Sequence, residues 1–221
     1  KIIKSSSYEE EVLKKQKRLD IQLDILTEFA ELLNCKRNQI LPLLKKEIED
    51  CLKKLGMPYA KFEISFSKKD CFQELGNTEI SFLFSANKGG SLYNLSKVAS
   101  GGELSRLMLS LKYIVSKSKN INTLVFDEID SGISGKIASL MGEMMVEISK
   151  RNQLISISHL PQIASKANMH LKVVKNIVKD NTISDIIVLN KEERIEEIAT
   201  LLSGNKLTAA AFENATELLN Q

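Results

Sequence analysis

The sequence predicts an α/β lobe, a mixed sheet flanked by helices, preceded by a long helical arm. Three observations predict it. Between Val12 and Leu55, apolar or small residues recur at alternating three- and four-residue spacing. From Ala60 onward, short runs of strand formers alternate with amphipathic helical patterns. One of those runs, Thr123-Leu124-Val125-Phe126, stops abruptly in Asp127-Glu128, as a strand does at the carboxyl edge where open α/β sheets bind ligands.

The arm is read from Val12, Leu19, Leu23, Leu26, Ala30, Leu33, Ile40, Leu44, Cys51 and Leu55, with polar interruptions at Gln16, Arg37 and Glu47. That pattern suits one arm of a coiled coil, and the lysines around it (Lys14, Lys15, Lys45, Lys46, Lys53 and Lys54) form its solvated face. Pro42 lies inside the pattern and is expected to start a new helix or kink the old one. Lys1 to Ser7 shows no periodicity and is expected to fray. Gly56-Met57-Pro58 ends the arm, which divides the chain into an arm over 1–56 and a lobe over 57–221.

In the lobe, Ala60 to Ser67 alternates as a half-buried strand with Phe62, Ile64 and Phe66 on one side, and Glu79 to Ser85 is its expected partner. A glycine-containing loop from Ala86 to Leu95 leads to Ser100-Gly101-Gly102, a small-residue turn that opens a helix carrying Leu104, Leu107, Met108, Leu111 and Ile114 on one face. A turn of that kind leaves backbone N–H groups free at the positive end of a helix dipole, which is a phosphate site. The Thr123–Phe126 run is expected to be buried on both faces of its sheet. At its end Asp127 can hold a Mg²⁺ ion, directly or through water, while Glu128 orients and deprotonates an attacking water. Asp130-Ser131-Gly132-Ile133-Ser134-Gly135 is a polar loop leading into a helix over 136–150, with Ile137, Leu140, Met141, Met144 and Ile148 on one face. The strand Leu154 to Ser158 then ends in His159, a residue type able to polarise a γ-phosphate or position the water. Strands at 170–176 and 183–189 and helices at 192–202 and 208–219 complete the lobe, the helices expected to cover the sheet near the root of the arm.

Composition agrees with one domain plus an extended arm. The 221 residues are 43% hydrophobic, enough to fill a core, and a net charge of +3 is too small to establish nucleic-acid binding by itself. Cys35, Cys51 and Cys71 are widely spaced without a CxxC or Cys/His pattern, so reduced thiols and no structural metal are expected. There is no membrane-length apolar run and no signal-peptide pattern, which leads us to expect a cytoplasmic protein with no membrane partner.

At these residues the chain resembles the C-terminal half of an ABC-type ATPase head. Ala99-Ser100-Gly101-Gly102-Glu103 is similar to the signature motif, Leu124 to Glu128 to Walker B, Asp130 and its loop to the D-loop, and His159 to the switch histidine. Within that superfamily the resemblance is to the RecN family of SMC-like proteins, carried by Lys97 to Arg106, Phe126 to Gly135 and Ser158 to Ala164. Glu103 stands where transporters carry Gln, and Asp130 is followed by Ser-Gly-Ile-Ser-Gly rather than an Ala-Leu-Asp type of loop.

The resemblance implies ATP and Mg²⁺ as cofactors, and action on DNA in double-strand break repair and recombination. It implies composite sites between two heads of a homodimer. Ser100, Gly101, Gly102 and Glu103, with Asp130, would face nucleotide at that interface, whereas Asp127, Glu128 and His159 would serve the nucleotide on their own head. No Gly-x-x-x-x-Gly-Lys-[Ser/Thr] occurs among the 221 residues, and Asn87-Lys88-Gly89-Gly90 is no substitute. The phosphate-cradling Walker A loop is therefore expected in an N-terminal half of the same protein, and the chain is expected to be inactive alone. The alternatives are a nucleotide-binding subunit of a membrane transporter and a non-enzymatic coiled-coil interaction module.

Overall fold

The structure, a computed structural model, describes residues 2–97, 101–117, 121–178, 181–204 and 207–220. It opens with one α-helix, α1 (Ile2–Lys54), of 53 residues. An antiparallel hairpin follows, β1 (Lys61–Gln73) and β2 (Gly76–Ser85), edged by the two-residue β3 (Tyr93–Asn94). Then come α2 (Gly101–Ser116), β4 (Thr123–Asp127), α3 (Gly135–Ser149), β5 (Gln153–Ile157) and the short α4 (Pro161–Ala164). A second hairpin, β6 (Leu171–Val178) with β7 (Asn181–Val188), precedes α5 (Lys191–Ser203) and α6 (Ala209–Leu219). Strands β4 and β5 pair in parallel across the α3 crossover, from Thr123↔Gln153 to Asp127↔Ile157. Among the described residues no helix is long and apolar enough to cross a membrane.

The arm ends by a specific turn. Gly56 takes φ +78°, its N–H donates to the Lys53 carbonyl (3.1 Å), and the Met57 N–H donates to the Leu52 carbonyl (2.9 Å). This is the Schellman arrangement, with its accompanying apolar contact supplied by Leu52 and Met57, both buried in one cluster. Glycine suits this position by its left-handed φ, and a Cβ here would lie 2.5 Å from Ile137 Cδ1, so that side-chain tip would have to move.

The last turns of α1 are part of the lobe's interior. Ile48 and Leu52 pack with Met57, Phe62, Phe84 and Leu107 between the arm, the first hairpin and α2. Cys51 and Leu55 join Leu109, Phe126, Met141 and Ile148 in the core that backs β4. Burial raises the Cys51 thiol pKa above its ordinary value, which keeps that sulfur protonated and unreactive. Cys35, Cys51 and Cys71 are all free thiols, as expected.

Four expectations need correction. Pro42 does not start a new helix: α1 runs through it, with Pro42 on an exposed face. The first residues are helical from Ile2 onward rather than irregular. The β4 strand is not buried on both faces, because only α3 and its neighbours cover it: Leu124 and Phe126 are buried, but Val125 is 59% exposed. The terminal helices pack on each other and on α4, through Ala164, Ile198, Ala199, Ala211 and Ala215, rather than at the root of the arm.

Candidate functional site

Parallel pairing of β4 and β5 puts Asp127-Glu128 and Ser158-His159 at the same carboxyl edge. The backbone then fixes how each is presented. Glu128 takes φ +47°, rare for a residue with a side chain, and its N–H donates to the Ile157 carbonyl (3.2 Å). Two successive turns follow, Ser131 N–H to Glu128 O and Ile133 N–H to Asp130 O, each at 3.1 Å. The chain therefore leaves the strand with Asp127 and Glu128 in solvent and folds Asp130 back beneath the end of β5, where it is fully buried.

Asp130 meets Ser158 there. The Ser158 hydroxyl donates to Asp130 Oδ2 and accepts from the Leu160 N–H (3.1 Å). The His159 ring between them is 68% exposed, with Nδ1 3.9 Å from Asp130 Oδ2. Sequence reasoning singled out His159 and Asp130 but not Ser158, whose only signal was its place immediately before the histidine.

The start of α2 lies against the loop after β4. A Cβ on Gly102 would come within 3.0 Å of the Gly132 carbonyl and 3.6 Å of Ile133 Cγ1, so a side chain here would press on the loop after β4. Gly101 is exposed, and Gly102 and Glu103 are half-buried. Ser100 lies outside the described residues. Among the described residues α2 begins at Gly101, and the N-terminal end of a helix favours an anion.

Arg106 was also missed by sequence reasoning. Its Nε donates to the Gly102 carbonyl (3.1 Å) and its Nη1 to the Leu55 carbonyl (3.3 Å), tying the first turn of α2 to the last turn of the arm. Burial lowers its pKa and nearby Glu103 opposes that shift. The one available signal was a basic residue four positions after a helix-opening glycine.

The acidic edge suits a hydrated divalent cation. Neither Asp127 nor Glu128 takes part in a salt bridge among the described residues, and both face solvent. No group of three or more His, Cys, Asp or Glu able to enclose a metal occurs among the described residues. Two exposed carboxylates could reach a hydrated divalent cation through one ligand or through its water.

The fold is that of an SMC head with its coiled coil attached. It is similar to the crystal structure of the Smc head domain with a coiled coil and joint from Pyrococcus yayanosii, with a TM-score of 0.60 at 19% identity, covering 89% of this chain and 36% of that one. In sequence the chain is RecN-like over nearly its whole length. It is 39% identical over 204 residues to the DNA repair protein RecN of Halalkalibacterium halodurans, covering 90% of this chain and 36% of that protein. It is 39% identical over 193 residues to RecN of Rickettsia conorii, covering 87% and 35%. The chain thus spans about a third of the length of these relatives. No protein-family profile matches it.

Proposed function

We propose that the chain is the C-terminal part of a RecN-like SMC-family ATPase acting in DNA double-strand break repair and recombination, whose heads engage around ATP and reopen on hydrolysis. The observation that carries this reading is the shared edge of β4 and β5, which brings two solvent-facing carboxylates and an exposed imidazole together beside a glycine-opened helix. The RecN names of the relatives supply the biological setting. Residues 1–56 would form one arm of a coiled coil, and 57–221 the C-terminal lobe of the head.

In this reading ATP with Mg²⁺ supplies the phosphoryl group to be transferred and the charge that makes it reactive. Asp127 would hold the ion, directly or through water. Glu128, turned outward by its left-handed backbone, would orient the attacking water and take its proton. His159 would face the γ-phosphate. Ser100, Gly101 and Gly102 would present backbone N–H groups to the γ-phosphate of the opposite head, with Glu103 beside them. Asp130, expected at the nucleotide interface, has a buried carboxylate and would act from behind the site rather than by contact.

The exposed outer face of the small parallel sheet, with Val125, Ile155 and Ile157 in solvent, supports a missing covering element. An N-terminal half of the same protein, bearing Walker A, is the proposed cover. DNA and a second head would be the other partners, in the bacterial cytoplasm. The 53-residue arm and the RecN-like sequence count against a transporter subunit.

Steady-state phosphate release tests the reading. The 221-residue chain should remain at background, and full-length protein should turn over ATP. Glu128→Gln should cut that turnover at least about 100-fold while prolonging an ATP-bound head dimer in sedimentation. Turnover by the chain alone, or parental turnover by the Gln variant, would refute it.

A further inference from the structure

The buried carboxylate of Asp130 has one oxygen too many for its surroundings. Oδ2 accepts from the Ser158 hydroxyl, but Oδ1 is fully buried without a hydrogen-bond partner. Leaving such an acceptor unpaired costs roughly 1–3 kcal/mol. The nearest titratable ring is His159, whose Nδ1 sits 3.9 Å from Oδ2. That is beyond hydrogen-bond length, but a small rotation of the ring, which is 68% exposed, would close the gap.

The backbone of His159 is held while its ring is not. Ser158 is tethered to Asp130 on one side, and the Leu160 N–H is held by the Ser158 hydroxyl on the other. Leu160 in turn starts α4, its carbonyl accepting from Ile163 (3.1 Å) and Ala164 (3.0 Å). His159 thus sits between two held neighbours, with its Nδ1 3.9 Å from the buried carboxylate.

We propose that Asp130 and Ser158 are a positioning pair for His159: on a small turn of the ring the carboxylate accepts a hydrogen bond from Nδ1–H, which fixes that imidazole tautomer and leaves Nε2 as the free acceptor at the open strand edge. The logic is that of any carboxylate–imidazole pair in which the acid orients the ring and never meets the substrate. The proposal rests on the reading of His159 as the residue facing the γ-phosphate, and it gives Asp130 a role that requires no contact with nucleotide.

The test begins with nitrogen-15 NMR of the imidazoles in the 221-residue chain at about pH 8. The chain has 2 histidines, so His170 serves as an internal control for folding. The Nδ1–H form of His159 should dominate by roughly tenfold, as a charge-assisted hydrogen bond dictates. Asp130→Ala should reverse that preference. Ser158→Ala should weaken it while leaving the carboxylate in place. If Asp130→Ala displaces the His170 resonances, and so fails to fold, Ser158→Ala and Asp130→Asn decide the matter. An Nε2–H form in the parent chain, or a tautomer ratio unmoved in the folded variants, would overturn the proposal.

In the full-length protein Asp130→Asn should lower kcat roughly tenfold or more with KM unchanged, because binding does not use the pair. A raised KM with parental kcat would also overturn the proposal. The tautomer is read without ATP. Failure of the ATPase reading, seen as parental turnover by Glu128→Gln, is therefore a separate result from failure of the pair.

Discussion

The two ends of α1 carry the same apolar repeat and live in different surroundings. Toward the N-terminus Val12 is 62% exposed, Leu19 52% and Leu23 43%, an open seam along a solvated helix. Toward the C-terminus Cys51 is 5% exposed and Leu55 is fully buried, in the lobe interior that the neighbouring Ile48 and Leu52 also enter. Periodicity alone therefore reports that a helix face will be covered and says nothing of what covers it. The polar interruptions carry that information. Gln16 in the open stretch bonds only within the helix, to Asp20 (3.0 Å). Arg37 donates from Nη2 to the Leu75 carbonyl at the turn of the first hairpin (3.0 Å), and Glu47 pairs with Lys117 at the end of α2 (3.2 Å). Interruptions that look like faults in a coiled coil mark where the arm meets its own lobe.

The sharpest way to break this contrast is a pair of truncations. Leu52→Ala should cost about 2–5 kcal/mol, because it empties space between Phe62, Phe84 and Leu107. Leu23→Ala should change the stability of the isolated chain by less than about 0.5 kcal/mol. Urea unfolding of both variants decides it, and equal losses would show that the two ends do not differ in kind.

A smaller effect locates the border between the two regimes. Asn34 donates to Asn77 Oδ1 (3.4 Å) and accepts from Thr78 Oγ1 (2.9 Å), so the hairpin clasps the arm some five turns above its root. Asn77 is 6% exposed, and Asn77→Ala should cost about 1–2 kcal/mol through the lost bond. Amide exchange should quicken around Asn34 and Arg37 in this variant and remain unchanged near Leu52. Uniform quickening would mean the clasp and the root unfold as one unit.

The smallest expected effect lies outside the arm and serves as its control. His170 has its pKa lowered, chiefly by burial and then by Arg194, from an ordinary value of 6.5. A depressed folded-state pKa means the unfolded chain binds the proton more readily. The associated stability is complete above about pH 6.5 and is lost as pH falls through the lower folded value. His170→Gln should flatten the decline between about pH 7 and pH 5, by a small amount because the ring is only partly buried. A steeper decline in the variant would contradict the sign.

The strand endings were legible because their chemistry is local. An apolar run that stops in two carboxylates, and another that stops in Ser-His, announce a shared edge before any pairing is known, and β4 and β5 end within a residue of those points. The Gly56 stop was legible for the same reason. What escaped was whatever depended on distant partners. Val125 was expected to be covered because a run of strand formers cannot reveal how many strands will flank it. The first hairpin runs on to Gln73 across an irregularity after Lys68, because its extension leans on the arm rather than on its own alternation. Ser158 and Arg106 act through backbone carbonyls and a buried carboxylate from other elements, contacts for which a single sequence has no periodic signal.

The turn at Gly56 makes the arm a lever and not a tether. With a left-handed glycine, two capping hydrogen bonds and Ile137 pressed against it, the root has no spare rotation with which to absorb bending. Arg106 fastens the same root to the opening turn of α2, and Ile137 belongs to the opening turn of α3. A helix of 53 residues at about 1.5 Å per residue, some 80 Å long, thus has its root in contact with the opening turns of the two helices that begin at Gly101 and Gly135, so a small tilt of that root would be a large displacement at the distant tip.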